Sequence, residues 1–158
     1  QNMTNAGVPD VQQVWCHEVG AARMFHGVSI KQRYPGHAVQ AGTIAAQCGG
    51  SAYASKYIIV TDEDIDVSDL EALIWAMLTR SDPKESIQII DGTWDSPADP
   101  RIPPEKRKVG DLSHSVAIIN ACRPWAWRNE FPPANTPSPE VAKKAREKFG
   151  YLLDGLPS

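Results

Sequence analysis

The sequence predicts an α/β domain, a three-layer arrangement around a mainly parallel sheet, followed by an extended carboxy-terminal arm and helix. Three observations carry that expectation. Short apolar runs at 57–60 (YIIV) and 115–121 (SVAIINA) are rich in β-branched residues, as strands covered on both faces are. Between such runs, Leu70, Leu73, Ile74, Met77 and Leu78 recur at the three-and-four spacing of one helical face. The alternation of strand and helix along most of the chain then argues for parallel pairing. We expect two units, 1–130 for the α/β domain and 131–158 for the arm and terminal helix.

In chain order, Gly7-Val8-Pro9-Asp10 is a turn. Residues 11–19 read as a strand, and 24–31 (MFHGVSIK) alternates well enough to be a second. Pro35 and Gly36 stop that strand, and Pro35 fits the first turn of a helix. The segment 37–54 is predicted helical, with a nearly bare face of Ala38, Ala41, Gly42, Ala45, Ala46 and Gly49. Its glycines weaken it in isolation, so it must pack closely on something.

The strand at 57–60 runs into four acids, Asp62, Glu63, Asp64 and Asp66, and then into the helix over 70–80. Asp66 or Ser68 is placed to cap that helix. Another strand follows at 86–91 (SIQIID), then a long irregular segment, 92–114, with four prolines and the basic residues Arg101, Lys106, Arg107 and Lys108. A connection of that length is usually functional or mobile. The arm at 131–139 is proline-rich, and Ser138-Pro139-Glu140 opens a last helix running to about Leu153. Val141, Ala145, Phe149 and Leu152 form its one apolar stripe.

The totals exclude several function classes. A net charge of −3 over 158 residues offers no basic surplus for nucleic acid. No apolar run approaches the ~20 residues of a membrane span. The first ten residues show no signal-peptide pattern and no initiator Met, so a piece of a longer chain is expected. Cys16, Cys48 and Cys122 are far apart and odd in number. They read as buried free thiols in a reducing, cytoplasmic setting, without a structural zinc spacing.

Candidate sites are few. The acidic turn has the oxygen ligands for Mg²⁺ or Ca²⁺ but lacks the glycine and closing Glu of a calcium loop. Capping, bonds to loop amides and pairing with Arg33 or Arg80 compete with that reading. His17, His26, His37 and His114 are scattered, and His37, beside Lys31 and Arg33, is the one suited to an anion. Trp94-Asp95-Ser96-Pro97 follows a strand, which fits either a pocket wall or an ordinary turn with a half-buried Trp. Trp125 and Trp127 fit an oligomer interface.

The segment IIVTDEDIDVSDLEALIWAMLTRSDP, with Ile74-Trp75-Ala76 and Thr79-Arg80-Ser81-Asp82-Pro83, resembles the carboxy-terminal domain of UbiD-type decarboxylases. Residues 30–38 (IKQRYPGHA) and the ending 141–151 are also similar to that family, the latter to ferulic-acid-type members. The resemblance implies a carboxy-lyase acting reversibly on an aromatic or α,β-unsaturated carboxylic acid. It implies prenylated FMN, Mn or Mg, and K, all bound by domains absent here, with a Glu–Arg–Glu catalytic set on a central β-barrel domain. No cofactor, metal or catalytic residue is expected in this chain, which alone is expected to be inactive. Its implied roles are dimerisation or higher homo-oligomerisation, docking to the amino-terminal and central domains, and closing over the active site. The loop after the 86–91 strand faces substrate in that family, so Thr93, Trp94, Asp95, Ser96 and Pro97 are the expected pocket residues. The alternative is a stand-alone module for divalent cations or for oligomerisation.

Overall fold

A computed structural model of the protein describes residues 1–135 and 137–152. The strands are β1 (Val11–Cys16), β2 (Phe25–Ile30), β3 (Tyr57–Asp62), β4 (Ile87–Trp94) and β5 (Ser113–Ala121). The helices are α1 (Asn2–Asn5), α2 (His37–Gln47), α3 (Leu70–Arg80), α4 (Pro83–Ser86), α5 (Pro104–Lys108) and α6 (Pro139–Phe149). One five-stranded sheet runs in the order β1-β2-β3-β5-β4. Its three central strands are parallel, and both outer strands pair antiparallel to their neighbours. The α/β expectation therefore holds, with a sheet that is mixed at its edges.

Alternation along the central strands divides the core in two. Val28, Ile30, Ile58, Val60, Val116 and Ile118 face α2. Ile59, Ile119 and Ala121 face the other way, against Leu73 of α3 and Val67. Helices thus cover both faces, which is why the central strands read as continuous apolar runs.

The bare face of α2 has a specific use. A Cβ on Gly42 would collide with the Cγ2 methyl of Ile118, so the helix lies on the sheet at a distance that only glycine permits. Gly36, the residue before α2, has a φ of +84°, in the left-handed region. This helix ends at Gln47, earlier than the sequence suggests, because Cys48 turns extended and 49–54 form turns.

Helix α3 is capped by Asp69, whose carboxylate accepts from the backbone N–H groups of Glu71 and Ala72 at 2.9 and 3.1 Å. Neither Asp66 nor Ser68 has that role. Asp66 instead accepts from the N–H and hydroxyl of Ser68 and from Gln13 Nε2, tying the turn to β1. Strand β4 extends to Trp94, beyond the expected Asp91, and is mostly exposed as an edge strand. Helix α6 is capped by Ser138 as expected, and every one of its residues is exposed. Leu153 lies outside the described residues. The three cysteines are free, and Cys122 is buried, Cys48 is half-buried and Cys16 is exposed. The expectation of burial fails for Cys16 because β1 is an edge strand.

Candidate functional site

Parallel strands give the sheet a carboxyl edge and an amino edge, and polar side chains gather at both. At the carboxyl edge, Asp62 is the last residue of β3. Its Oδ1 accepts from Gln32 Nε2 at 2.6 Å. Its Oδ2 accepts from the Arg123 backbone N–H at 2.7 Å, from Arg123 Nε at 3.1 Å and from Arg80 Nη1 at 3.4 Å. Asp64 accepts from both Nη atoms of Arg80, at 2.9 and 2.7 Å. The Arg80 side chain is 3% accessible, as is that of Asp62. Two carboxylates are thus balanced by two guanidiniums.

The Arg80 hydrogen bonds hold the Asp64 carboxyl below its usual range. Burial pushes the adjacent Cys122 thiol well up, so it is a protonated core group rather than a nucleophile. Asp62 and Asp64 are committed to arginines and Asp66 to Ser68 and Gln13, so three of the four acids do what capping and pairing require. Of the two basic partners expected from sequence, Arg80 takes part. Arg33 pairs with Asp10 instead.

His37 is structural. Its Nδ1 accepts from the Arg33 backbone N–H at 3.2 Å, and its Nε2 donates to the Pro9 carbonyl at 3.1 Å. Those two bonds fix a neutral ring, and burial lowers its pKa further. No nitrogen is left for an anion.

The sequence-predicted pocket residues sit at the opposite edge. Because β4 runs antiparallel, its carboxyl end pairs with the start of β5, through Trp94↔Ser113. Thr93 is buried, and its hydroxyl donates to the His114 carbonyl at 3.1 Å. Trp94 is 64% exposed and meets Tyr53 edge-on at 4.8 Å. Asp95 is fully buried, Ser96 is half-buried and Pro97 is exposed. The turn is built locally: Ser96 N–H donates to Asp95 Oδ1 at 2.6 Å, and Ala98 N–H donates to Ser96 Oγ at 3.1 Å.

Sequence reasoning missed what Asp95 meets. His114 Nδ1 lies 3.3 Å from its Oδ2. Asp99, also fully buried, lies beside it and is held by Lys56 Nζ at 2.7 Å and by the Arg101 N–H at 3.0 Å. Burial and the neighbouring Asp99 raise the Asp95 carboxyl above its ordinary value. Burial works the same way on Asp99, but the Asp95 carboxyl and the Lys56 ammonium outweigh it and its pKa falls. The long segment 92–114 is therefore anchored rather than loose. Arg107 reinforces it by donating to the carbonyls of Ile102, Pro97 and Asp99.

Comparison with known proteins decides the family. The model of the 3-octaprenyl-4-hydroxybenzoate carboxy-lyase C-terminal domain, UbiD_C, matches residues 1–121. The chain belongs to this family. Apo 3,4-dihydroxybenzoic acid decarboxylase of Klebsiella pneumoniae superposes on this UbiD carboxy-terminal domain with a TM-score of 0.74 at 28% identity, over 94% of this chain and 31% of that one. Vanillic acid decarboxylase of Sedimentibacter hydroxybenzoicus, known in open and closed forms, gives TM-scores of 0.71 and 0.69 at 25% identity, over 98% of this chain and 31% of that one. The UbiD-class enzyme HmfF of Pelotomaculum thermopropionicum, in complex with FMN, shares the fold at 24% identity and a TM-score of 0.73, with the same shares covered. An uncharacterised protein of Aeropyrum pernix is 28% identical over 93% of this chain and 30% of its own length. The UbiD domain described here thus spans about a third of the relatives it matches.

One cavity of this domain does not suit a flavin phosphate. The cavity of about 320 Å³ between β1, β2 and α2 is lined by groups such as Val11, Val14 and Ala45 and by no charged side chain. The carboxyl-edge arginines are already paired. Among the described residues no helix is long and apolar enough to cross a membrane.

Proposed function

We propose that this chain is the carboxy-terminal domain of a cytoplasmic UbiD-class carboxy-lyase that acts reversibly on an aromatic or α,β-unsaturated carboxylic acid. The observation that carries the proposal is the family match over residues 1–121, most of the chain. Prenylated FMN, Mn or Mg, and K would be bound by the amino-terminal and central domains, and the isolated domain would be inactive.

Its own contribution is assembly and closure. Residues 1–130 form the α/β unit, and residues 131–158 form an arm whose helix presents Val141 and Phe149 to a neighbouring subunit in a dimer or larger oligomer. Both side chains are exposed, in keeping with a surface that waits for a partner. Open and closed forms of a relative support a domain that swings over the site. Thr93, Trp94, Asp95, Ser96 and Pro97 would line the substrate side, with the exposed Trp94 ring as the contact and the buried Asp95 as its footing.

The test is reconstitution of the full-length protein with prenylated FMN and Mn²⁺, offered a panel of aromatic and acrylic acids. Release of CO₂ from at least one acid is expected, and a flavin-loaded enzyme inert toward all of them sinks the proposal. A stand-alone cation module built on the acidic turn is the weaker reading, because Asp62 and Asp64 are already bound by Arg80 and Arg123.

A further inference from the structure

The amino-edge cluster holds more unsatisfied polar capacity than a structural network needs. Asp95 Oδ2 and His114 Nδ1 lie 3.3 Å apart without a well-aligned hydrogen bond, and His114 Nε2 is buried with no partner among the described residues. The side chains of Asp95 and His114 are 0% and 9% accessible. A buried imidazole nitrogen without a partner is costly, and native structures rarely leave one unexplained. One oxygen from each carboxylate and one ring nitrogen of His114 lie within 4.8 Å of one another. His114 also borders two clefts, of about 260 and 220 Å³, that open to solvent.

We propose that Asp95, Asp99 and His114 form a binding site for one divalent metal ion of the zinc or manganese class. Two carboxylates and an imidazole are a mixed O/N donor set, which suits such ions better than Mg²⁺ or Ca²⁺, whose sites are all oxygen. Ligand atoms around a four-coordinate ion stand about 3.4 Å apart, so the widest pair must close by up to about 1.4 Å, within the reach of side-chain rotation. The Asp95–His114 pair is already at 3.3 Å. Lys56 now fills the cation's place beside Asp99. Its side chain is 20% accessible, so it can turn to solvent when an ion enters, leaving a fourth position for water. The site shares Asp95 with the proposed pocket turn but does not require the decarboxylase reading, and it is separate from the acidic turn at the other edge.

The experiment is calorimetric titration of the metal-stripped 158-residue chain with ZnCl₂, MnCl₂ and MgCl₂, with circular dichroism to confirm folding. One equivalent of Zn²⁺ or Mn²⁺ should bind, with Mg²⁺ about tenfold weaker or more. Asp95→Asn and His114→Gln should each weaken binding at least about tenfold, and Lys56→Gln should tighten it by removing the competing ammonium. In the unaltered chain, Mn²⁺ should broaden the His114 imidazole NMR signals before those of His17, His26 and His37, a readout that survives if a variant fails to fold. Absence of saturable binding overturns the proposal. So does binding that persists in His114→Gln and disappears in Cys16→Ser, which would place the ion at the Cys16–His26 contact instead.

Discussion

Arg80, the last residue of α3, grips Asp64 with both terminal nitrogens, at 2.9 and 2.7 Å, while its own side chain is almost wholly buried. A helix end is thereby fastened to the turn that precedes the same helix. The basic residue also suits the negative end of the helix dipole. The pair offsets part of the negative charge gathered in this turn.

Removing Arg80 should be far more damaging than removing Asp64. Arg80→Met leaves Asp62 buried with one guanidinium fewer, and breaking a buried pair in this way costs about 3–5 kcal/mol. Asp64→Asn leaves a neutral, partly exposed acceptor and should cost about 1 kcal/mol or less. Urea unfolding of the two variants checks the ranking, and equal midpoints would refute it.

Acid should weaken this edge. The folded Asp64 carboxyl is held below its ordinary value of 3.8, so the unfolded chain takes up the proton first as pH falls. Its contribution is complete above that ordinary value and is lost as pH drops through the depressed folded one. Urea midpoints measured from neutral pH to below 3.8 should fall less steeply in Asp64→Asn than in the unaltered chain.

Gly42→Ala should destabilise although alanine favours helices. The new methyl meets Ile118 in a well-packed layer, and overpacking of this kind costs about 1–3 kcal/mol against a helix-propensity gain of about 1 kcal/mol. A lowered thermal midpoint is expected, and a raised one would mean that α2 can lift off the sheet freely.

The stripe on α6 offers a separation of assembly from folding. Val141→Ser with Phe149→Ser alters only exposed side chains, so the unfolding midpoint should stay within about 0.5 kcal/mol of the parent. Under the proposed function the same change should shift sedimentation of the full-length enzyme toward smaller species. An unchanged oligomer would remove α6 from the interface.

Trp94→Ala tests the pocket reading in the full-length enzyme. The ring is largely exposed, so stability should change little. A raised KM for the carboxylic acid is expected, and unaltered kinetics would leave Trp94 as a surface turn residue.

The three-layer frame was legible because its signals are local. The run at 57–60, the periodicity over 70–80 and the bare face of α2 each state their own burial. The direction of β4 was not, since Ile87, Ile89 and Ile90 look like a buried parallel strand until the edge position exposes two of them. The cap of α3 was misplaced because Asp66, Ser68 and Asp69 all qualify within four residues, and only the register of the turn selects among them. The amino-edge cluster was missed because Lys56 and His114 meet Asp95 and Asp99 only through pairing of the strands. A usable signal existed: Lys56 directly precedes β3 and His114 is the second residue of β5, and starts of adjacent parallel strands share one edge.

The Asp62 network joins residues that are made at very different times. Gln32 bonds both to Asp62 and to the Arg123 carbonyl, 91 residues away in sequence. On a ribosome, β3 emerges well before Arg123, so Asp62 must remain hydrated until β5 has been translated. Docking of β3 in the sheet's interior is therefore deferred, and long-range closure of this sort is slow. Arrival of Arg123 is then the step that seals the carboxyl edge.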